Sequence, residues 1–595
     1  MSRNDEIATL LEEFADLLDA EGVEYKPRAY RRAAENIRDH PGDIEGLAAE
    51  GEASVGEIDR VGDAISSKVV EYFETGEIEE LGELREALPV DMRALTAVEG
   101  VGPKTVGSLY EALGITTLDE LEAAAEAGEI REINGFGAKT EQNILDNVEF
   151  AREAHARTLL GTAHPYGVRA KRYVADVDAV ETCALGGSLR RWRPTIGDVD
   201  VLVGSHESEA VVDAFTDWPE VESVIEAGET KASVRAGGLR VDLRVVVPEE
   251  FGAALQYFTG SKDHNLAVRN RAIERGLKVN EYGVFREAQS APDSRTQSDD
   301  DVPEVPEEED HQRAGERVAS ETEEGVYEAL GMDWVPPEMR ENRGEVEAAA
   351  DGALPDLLTE ADVRGDLHTH SEWSDGGNTV AEMVAGAADF GHDYIAVTDH
   401  ATGPGMVGGV GVDDAALREQ IAEVEAVAAD AAIDVFSGVE ANIAPDGSIS
   451  VADDVLAELD VVVASPHASL DGDGTDRLVA AAEHPEVDIV GHPTGRYLNR
   501  RSGLDIDVER LATVAADAGT ALEVNASPAR LDLDGYAVKA AIEAGATVAI
   551  DTDAHSPGSF GQITYGVHTA RRGWAEAGDV LNTRSPDELR EFLDG

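Results

Sequence analysis

Between residues 5 and 88, apolar positions recur at the three- and four-residue spacing of an amphipathic helix, as in Glu6 to Leu18 and Tyr30 to Ile37. Short breaks separate these runs, and the pattern predicts an all-α module. Further on the period changes. Val199, Val201, Leu202 and Val203 form a strand-like run, and Val241, Leu243 and Val245 alternate with polar residues. A period of two puts Asp198 and Asp200 on one face, and Asp242 can point from a neighbouring strand toward the same place. From Gly365 onward, strand-like runs alternate with alanine-rich helical stretches, and metal-ligand residue types recur at the strand ends. Asp366 to His370, Tyr394 to His400, Val435 to Glu440, Val461 to His467, Val487 to His492 and Val548 to His555 all follow this rule. The repetition predicts a closed β/α barrel with its site at the C-terminal rim. The fold class is therefore multidomain, with α+β and α/β parts.

Composition refines this picture at three points. The 595 residues are enough for several domains, each able to bury its own core. Gln289 to Asp310 is Ser, Pro, Asp and Glu with almost no large apolar residue, which predicts a disordered acidic linker. No apolar run is long enough to span a bilayer, and the start lacks a signal peptide's apolar core, so a cytoplasmic protein without a membrane partner is expected. Cys183 is the single cysteine; it has no disulfide partner in the chain, and its place beside a strand predicts a buried packing residue.

Two glycine hairpins stand out in the helical region. Gly100-Val101-Gly102-Pro103-Lys104-Thr105 and Gly135-Phe136-Gly137-Ala138-Lys139-Thr140 each lie between helices, and Val61-Gly62-Asp63 is a weaker copy with Arg60 in place of the first glycine. Such a hairpin lets backbone N–H groups and a helix N-terminus face a phosphate, with Lys adding charge. The pattern resembles helix-hairpin-helix DNA-binding motifs.

The stretch from Gly186 to Asp200 joins a Gly-Gly-Ser loop to the aspartate pair. Three aspartates and two divalent cations are what an in-line phosphoryl displacement needs, one metal for the attacking oxygen and one for the leaving pyrophosphate. Gly187 and Ser188 offer donors to a triphosphate, and Arg191 a charge-assisted fork. With Tyr257-Phe258-Thr259-Gly260-Ser261 following, the region resembles the family X DNA polymerases. That resemblance implies Asp198, Asp200 and Asp242 as Mg or Mn ligands, with Asp242 drawing the proton from the primer 3′-hydroxyl. It implies Ser188, Arg191 and Gly197 at the triphosphate and the Tyr257 to Ser261 segment at the sugar. Asn265 and Arg269 are implied at the nascent base pair and template strand. In the first module, Lys26, Arg28, Tyr30 and Arg31 resemble the family's 5′-phosphate pocket. Lys68 aligns with the Schiff-base lysine of its lyase members; the alternative is a lysine snorkelling from an amphipathic helix.

The strand-end motifs of the C-terminal region resemble the PHP (polymerase and histidinol phosphatase) phosphoesterase domain over residues 362 to 580. Nine ligands are implied. One metal takes His368, His370, Glu440 and Asp553; a second takes Glu440, His467 and His492; a third takes Asp375, His400 and His555. Mixed imidazole and carboxylate ligation suits Zn or Mn. His392, His484 and His568 lie off the strand ends and are expected to be structural. Arg496 and Arg530 are candidates for a substrate phosphate, and surface ion pairing explains them equally well.

The implied organisation is a helical lyase-like domain (1–90), a helix-hairpin-helix domain (91–150) and a nucleotidyltransferase palm (151–250). The main part of a nascent-base-pair domain (251–286), the acidic linker (287–320), a bridge carrying Trp334 to Arg340 (321–361) and a PHP barrel (362–595) follow. A monomeric repair enzyme acting on gapped or primed duplex DNA with dNTPs, polymerising at one site and trimming 3′ ends at the other, fits all of these. Two rivals are a metallophosphatase of small phosphomonoesters with a DNA-binding front half, and a non-enzymatic scaffold. The net charge of −73 runs against DNA binding. A halophilic cytoplasm accounts for it, because at roughly 1 M salt the Debye length is about 3 Å and only short contacts survive.

Overall fold

The computed structural model describes residues 3–23, 26–39, 44–56, 58, 60–98, 100–133, 135–155, 157–286, 312–406 and 410–594. The acidic segment Gln289 to Asp310 lies outside the described residues. Two units form: Met1–Leu159 together with Leu357–Gly595, and Leu160–Asp356.

In the N-terminal region, helices α1 (Arg3–Ala20), α2 (Lys26–Asp39), α3 (Asp63–Thr75), α4 (Pro103–Leu113) and α5 (Ala138–His155) converge on one apolar core. That core runs from Ile7 through Leu95, Val106 and Leu121 to Ala151. The two helical domains expected from sequence, 1–90 and 91–150, therefore do not bury separate cores. Gly107 shows how closely they meet, since a Cβ there would stand 2.1 Å from the Ala20 carbonyl oxygen. All three glycine hairpins share one backbone. Gly100 and Gly135 take φ of +78° and +94°, and Arg60 takes +60° at the corresponding place. The Gly62 carbonyl accepts the N–H groups of Ile65 and Ser66 in the first turn of the following helix, and the Gly102 carbonyl likewise accepts that of Val106. Arg60 thus adopts the left-handed conformation at the cost of a side chain that disfavours it.

The second unit is built on a five-stranded sheet of β1 (Thr182–Leu185), β2 (Val199–Gly204), β3 (Ser223–Ala227), β4 (Lys231–Ala236) and β5 (Leu239–Val246), in the order β1-β2-β5-β4-β3. Strands β2 and β5 run parallel, with Asp200 opposite Asp242. Leu239, Val241, Leu243 and Val245 are buried on one face of β5, so Asp242 emerges on the other. Helices α6 (Phe251–Thr259) and α7 (Lys262–Glu274) lead to a small sheet of β6 (Leu277–Asn280), β7 (Gly283–Arg286) and β8 (Glu316–Ala319). Strand β8 pairs antiparallel with β7, so the end of the segment expected to be linker is ordered structure. The following residues fold back onto the same unit rather than bridging away from it. Glu323, nearly buried, binds Arg190 at 2.7 and 2.8 Å and the fully buried Arg340 at 2.6 Å. Burial works to raise the Glu323 carboxyl, and the charges of Arg340 and Arg190 outweigh it, holding it down at about 2.

The C-terminal region is a seven-stranded parallel sheet in strict chain order: β9 (Gly365–Asp366), β10 (Tyr394–Val397), β11 (Asp434–Asn442), β12 (Val461–Ser465), β13 (Ile489–Val490), β14 (Ala521–Asn525) and β15 (Val548–Asp551). Almost every strand residue is buried, as expected for strands packed on both faces. A parallel bridge between Thr369 and Ala554, with Leu367 N–H donating to Asp551 at 2.7 Å, joins the first strand to the last and nearly closes the barrel. No helix of the described residues is long and apolar enough to cross a membrane.

Candidate functional site

Side by side on β2 and β5, Asp200 and Asp242 join Asp198 so that one carboxylate oxygen of each lies within 4.8 Å of the others. Three anions so close oppose one another's ionisation. Burial first, then Asp198 and Asp242, push the Asp200 carboxyl up to about 7. A divalent cation would relieve that repulsion, so the residues fit a metal. Arg240 supplies part of the compensation, its Nε donating to Asp242 at 2.8 Å. A cleft of about 200 Å³ opens beside the pair, lined by Gly186, Asp200, Ser233, Arg240, Asp242 and Phe258, among others.

Gly187 explains the glycine loop: it takes φ +59°, and a Cβ there would lie 1.8 Å from Asp200 Oδ2. Only glycine lets the backbone come this close to the carboxylate. Ser188 is half-buried in the turn that follows, and Gly197 is exposed just before Asp198. Arg191 is already engaged. Its Nε donates to Glu341 at 3.0 Å and its guanidinium to the Thr259 carbonyl at 2.7 Å. Asn265 is engaged too, donating to the carbonyls of Tyr257 at 2.7 Å and Gly260 at 3.3 Å while Gln256 donates to its oxygen. It therefore clasps the Tyr257 to Gly260 turn, whereas a contact to a base pair was expected of it. Gly260 is required there, because a Cβ would meet Asn265 Oδ1 at 2.4 Å. Tyr257 is exposed, Phe258 lies under the Arg244 guanidinium at 4.5 Å, and Arg269 projects from α7 into solvent. Cys183 is half-buried rather than buried, and burial pushes its thiol up to about 11, disfavouring the thiolate.

In the helical region Gly100, Gly102, Lys104, Gly135, Gly137 and Lys139 are all exposed, as contact with a phosphate backbone requires. The expected 5′-phosphate residues separate into two groups. Lys26 and Arg28 are exposed, whereas Tyr30 is buried and stacked on Phe14 at 4.5 Å, and Arg31 is paired with Asp16 and Asp19. Lys68 Nζ lies 2.5 Å from Glu80, a residue with no signal in the sequence motif. Burial works to lower the Lys68 ammonium, and the Glu80 hydrogen bond outweighs it, so its pKa is raised.

All nine expected ligands gather at the C-terminal end of the barrel strands. His368, His370 and Asp553 form one group, His370, Asp375, His400 and His555 a second, and His400, Glu440 and His467 a third. His492 Nε2 stands 3.0 Å from Glu440 Oε1, and His370 Nε2 3.0 Å from Asp553 Oδ1. His370 and His400 each belong to two of these groups. Among the described residues, buried ring nitrogens of His368, His370, His400 and His467 and both oxygens of Glu440 lie close to one another but make no well-formed hydrogen bond. Orphaned polar atoms of metal-ligand residue types, gathered in these groups, fit bound cations. Burial works to raise Glu440, and His467, His400 and His368 together hold it well below the usual carboxylate range.

Glu523, Asn525 and Asp399 are site residues that the motif reading missed. Glu523 Oε1 lies 2.6 Å from His368 Nδ1, Asn525 donates to Asp553 at 3.1 Å, and Asp399 accepts from Ser371, Ser374 and Gln420. The apolar run from Ala521 to Asn525 ends in polar residues like the others, and the same rule finds it. His392 is buried against Phe560, and His484 and His568 pair with Asp453 and Glu360, so none joins the cluster. Arg496 donates to the Arg530 and Leu531 carbonyls, while Arg530 Nε reaches within 3.7 Å of Asp553.

Comparison with known proteins gives four family matches. Residues 2–78 match the helix-hairpin-helix domain, 92–149 the SAM-like helix-hairpin-helix tandem, 254–341 the DNA polymerase beta thumb and 366–527 the PHP domain. The thumb match spans α6 through Glu341, which agrees with the return of Glu323 and Arg340 to this unit. The Bacillus subtilis (strain 168) DNA polymerase/3′-5′ exonuclease PolX is 33% identical over 99% of both chains. Rattus norvegicus DNA polymerase lambda is 24% identical over 47% of this chain and 47% of its own. A probable phosphatase of Caldanaerobacter subterraneus subsp. tengcongensis is 31% identical over 38% of this chain and 90% of its own. With that likeness running the full length of both chains, from the hairpins to the metal-fitting barrel, the protein belongs to the family X DNA polymerases that carry a PHP domain.

Proposed function

We propose that this chain fills short gaps in DNA by template-directed nucleotidyl transfer at Asp198, Asp200 and Asp242, and trims 3′ ends at the barrel cluster. The observation that carries the first half is the parallel pairing of β2 and β5, which sets Asp200 opposite Asp242 beside the Gly187 turn. Two divalent cations, Mg or Mn, supply activation of the attacking oxygen and charge neutralisation when bound there. The chain's own part is to hold three carboxylates at ligand spacing, to bring Gly187 and Ser188 to the triphosphate and to accept the 3′-hydroxyl proton at Asp242. Lys104 and Lys139 beside the exposed hairpin glycines position the duplex through its phosphates. At the barrel, Zn or Mn polarises the scissile phosphate when bound, and His368, His370, Asp375, His400, Glu440, His467, His492, Asp553 and His555 hold it. Tethering both sites on one chain presents the same primer end to each at high effective concentration. Lys68 is the candidate nucleophile for 5′-deoxyribose phosphate removal.

Primer extension and 3′ degradation in molar KCl with Mg or Mn test this reading. Asp198→Ala loses extension and keeps degradation, and His368→Ala does the reverse. Degradation lost with Asp198→Ala, or untouched by His368→Ala, sinks the two-site assignment. The net charge of −73 supports a halophilic setting, in which activity rises with KCl toward molar levels; an optimum near 0.1 M rejects it. Hydrolysis of small phosphomonoesters is a second reading for the barrel, favoured by its likeness to proteins named as probable phosphatases. A barrel that cleaves phosphomonoesters and leaves a DNA 3′ end intact supports that reading instead.

A further inference from the structure

The loops that follow β13 and β14 meet on the ligand-bearing rim of the barrel, where Leu498 N–H donates to the Ala529 carbonyl at 2.7 Å. Four arginines gather in these loops, Arg496, Arg500, Arg501 and Arg530, in a chain whose charge is otherwise overwhelmingly negative. Two of them are structural. Arg496 donates to the Arg530 carbonyl at 2.8 Å and to that of Leu531, and Arg501 donates to the Gly495 carbonyl at 2.6 Å. The other two face Tyr497. The Arg530 guanidinium lies 5.3 Å from the Tyr497 ring centre and that of Arg500 5.6 Å, looser than the 3.8 Å of Arg313 over Tyr282. A short hairpin fixes the backbone that carries the ring, since Tyr497 N–H donates to the Arg501 carbonyl and the N–H groups of Arg500 and Arg501 donate to the Tyr497 carbonyl. Arg530 also reaches toward the cluster, its Nε 3.7 Å from Asp553 Oδ2. Its side chain makes no hydrogen bond among the described residues.

Planar groups in line with a phosphate-cleaving site are what a single strand requires. Bases stack on aromatic rings and on guanidinium planes, whereas a small phosphate ester presents no second planar group to hold. Stacking also persists in molar salt, where attraction between separated charges is screened. We infer that Tyr497, with Arg500, is a stacking platform for the terminal base of a single-stranded 3′ end, and that Arg530 holds the adjoining phosphate at the barrel cluster. This loop then selects polynucleotide ends over small phosphate esters. The inference rests on the exonuclease reading of the barrel and deepens it.

The test uses the full chain with Mn²⁺, a single-stranded oligonucleotide and glycerol 2-phosphate, a small ester without a planar group. Tyr497→Ala lowers the ratio of kcat/KM for the oligonucleotide to that for the ester about tenfold, mainly through KM, and Tyr497→Phe restores it. Binding is read separately with 2-aminopurine as the 3′-terminal base and Ca²⁺ in place of Mn²⁺. Its fluorescence is quenched by the unaltered protein and by Tyr497→Phe, and not by Tyr497→Ala. An unchanged ratio, or equal quenching by Tyr497→Ala, overturns the platform. Degradation that survives His368→Ala overturns the exonuclease reading instead, and the quenching still decides the role of Tyr497.

Discussion

Glu523 Oε1 lies 2.6 Å from His368 Nδ1, and the other oxygen of the same carboxylate accepts the backbone N–H of His492 at 2.5 Å. One buried side chain on β14 thus orients two residues of the cluster and leaves His368 Nε2 directed at Glu440 and Asp553. Such a partner fixes the imidazole tautomer and ring direction that a metal needs. Glu523→Gln is expected to weaken metal affinity by about 10- to 100-fold. Metal content after dialysis against a graded chelator measures this, and full retention of metal rules it out.

The polymerase-site carboxylates carry a pH signature. In the metal-free protein Asp200 holds its proton up to about 7, whereas in the unfolded chain an aspartate releases it near pH 4. Between these values the folded state binds the extra proton, so the stability contributed by this group falls as pH rises through the window. Asp200→Asn removes that penalty and raises the Tm of the metal-free protein more at pH 8 than at pH 5. Equal shifts at both values contradict the argument.

Arg191 and Glu341 are both largely buried and pair at 3.0 Å, with Arg193 3.6 Å from the same carboxylate. A triphosphate that uses Arg191 must compete with Glu341. Glu341→Gln is expected to lower the KM for dNTP severalfold while lowering Tm, because it removes the carboxylate charge shared by the largely buried Arg191 and the half-buried Arg193. Steady-state extension kinetics at saturating primer give the KM. A KM that rises shows that Glu341 instead helps to shape the site.

Lys68 and Glu80 make the corresponding prediction for the helical region. A Schiff base forms from the neutral amine, and the Glu80 hydrogen bond raises the Lys68 pKa against burial. Its stabilising contribution is complete below the unfolded value near 10.4 and is lost only as pH rises through the higher folded one. Glu80→Gln should therefore increase borohydride trapping of an abasic 5′-phosphate end at pH 7 severalfold. Trapping that is absent in both proteins, or abolished by the change, removes Lys68 from that role.

Much of this was legible in the chain itself, for a physical reason particular to each element. The period of two at Asp198 and Asp200, and the alternation around Asp242, are local properties of strands that survive into the fold. The recurrence of ligand types at strand ends works because a parallel barrel brings all those ends to one rim. Glu523 was missed although the rule applied to its strand. Glu80, Glu341 and Glu323 were not legible in this way. In a chain with 122 acidic residues, no pattern marks the carboxylate that will meet a given arginine or lysine.

By itself, the sequence determined which residue types stand where the backbone period points them at a common centre, and hence the two metal-fitting clusters and the exposed hairpins. Tertiary structure decided which charged groups are already paired. Arg191 and Asn265 were expected at substrates and are held by Glu341 and by the Tyr257 to Gly260 turn. It also decided that Arg60 can stand in for a hairpin glycine at φ +60°, and that two helical segments share one core. Local geometry is set by neighbours a few residues away, so a sequence displays it. Pairing and shared burial depend on residues brought together across tens or hundreds of positions, which only the folded chain specifies.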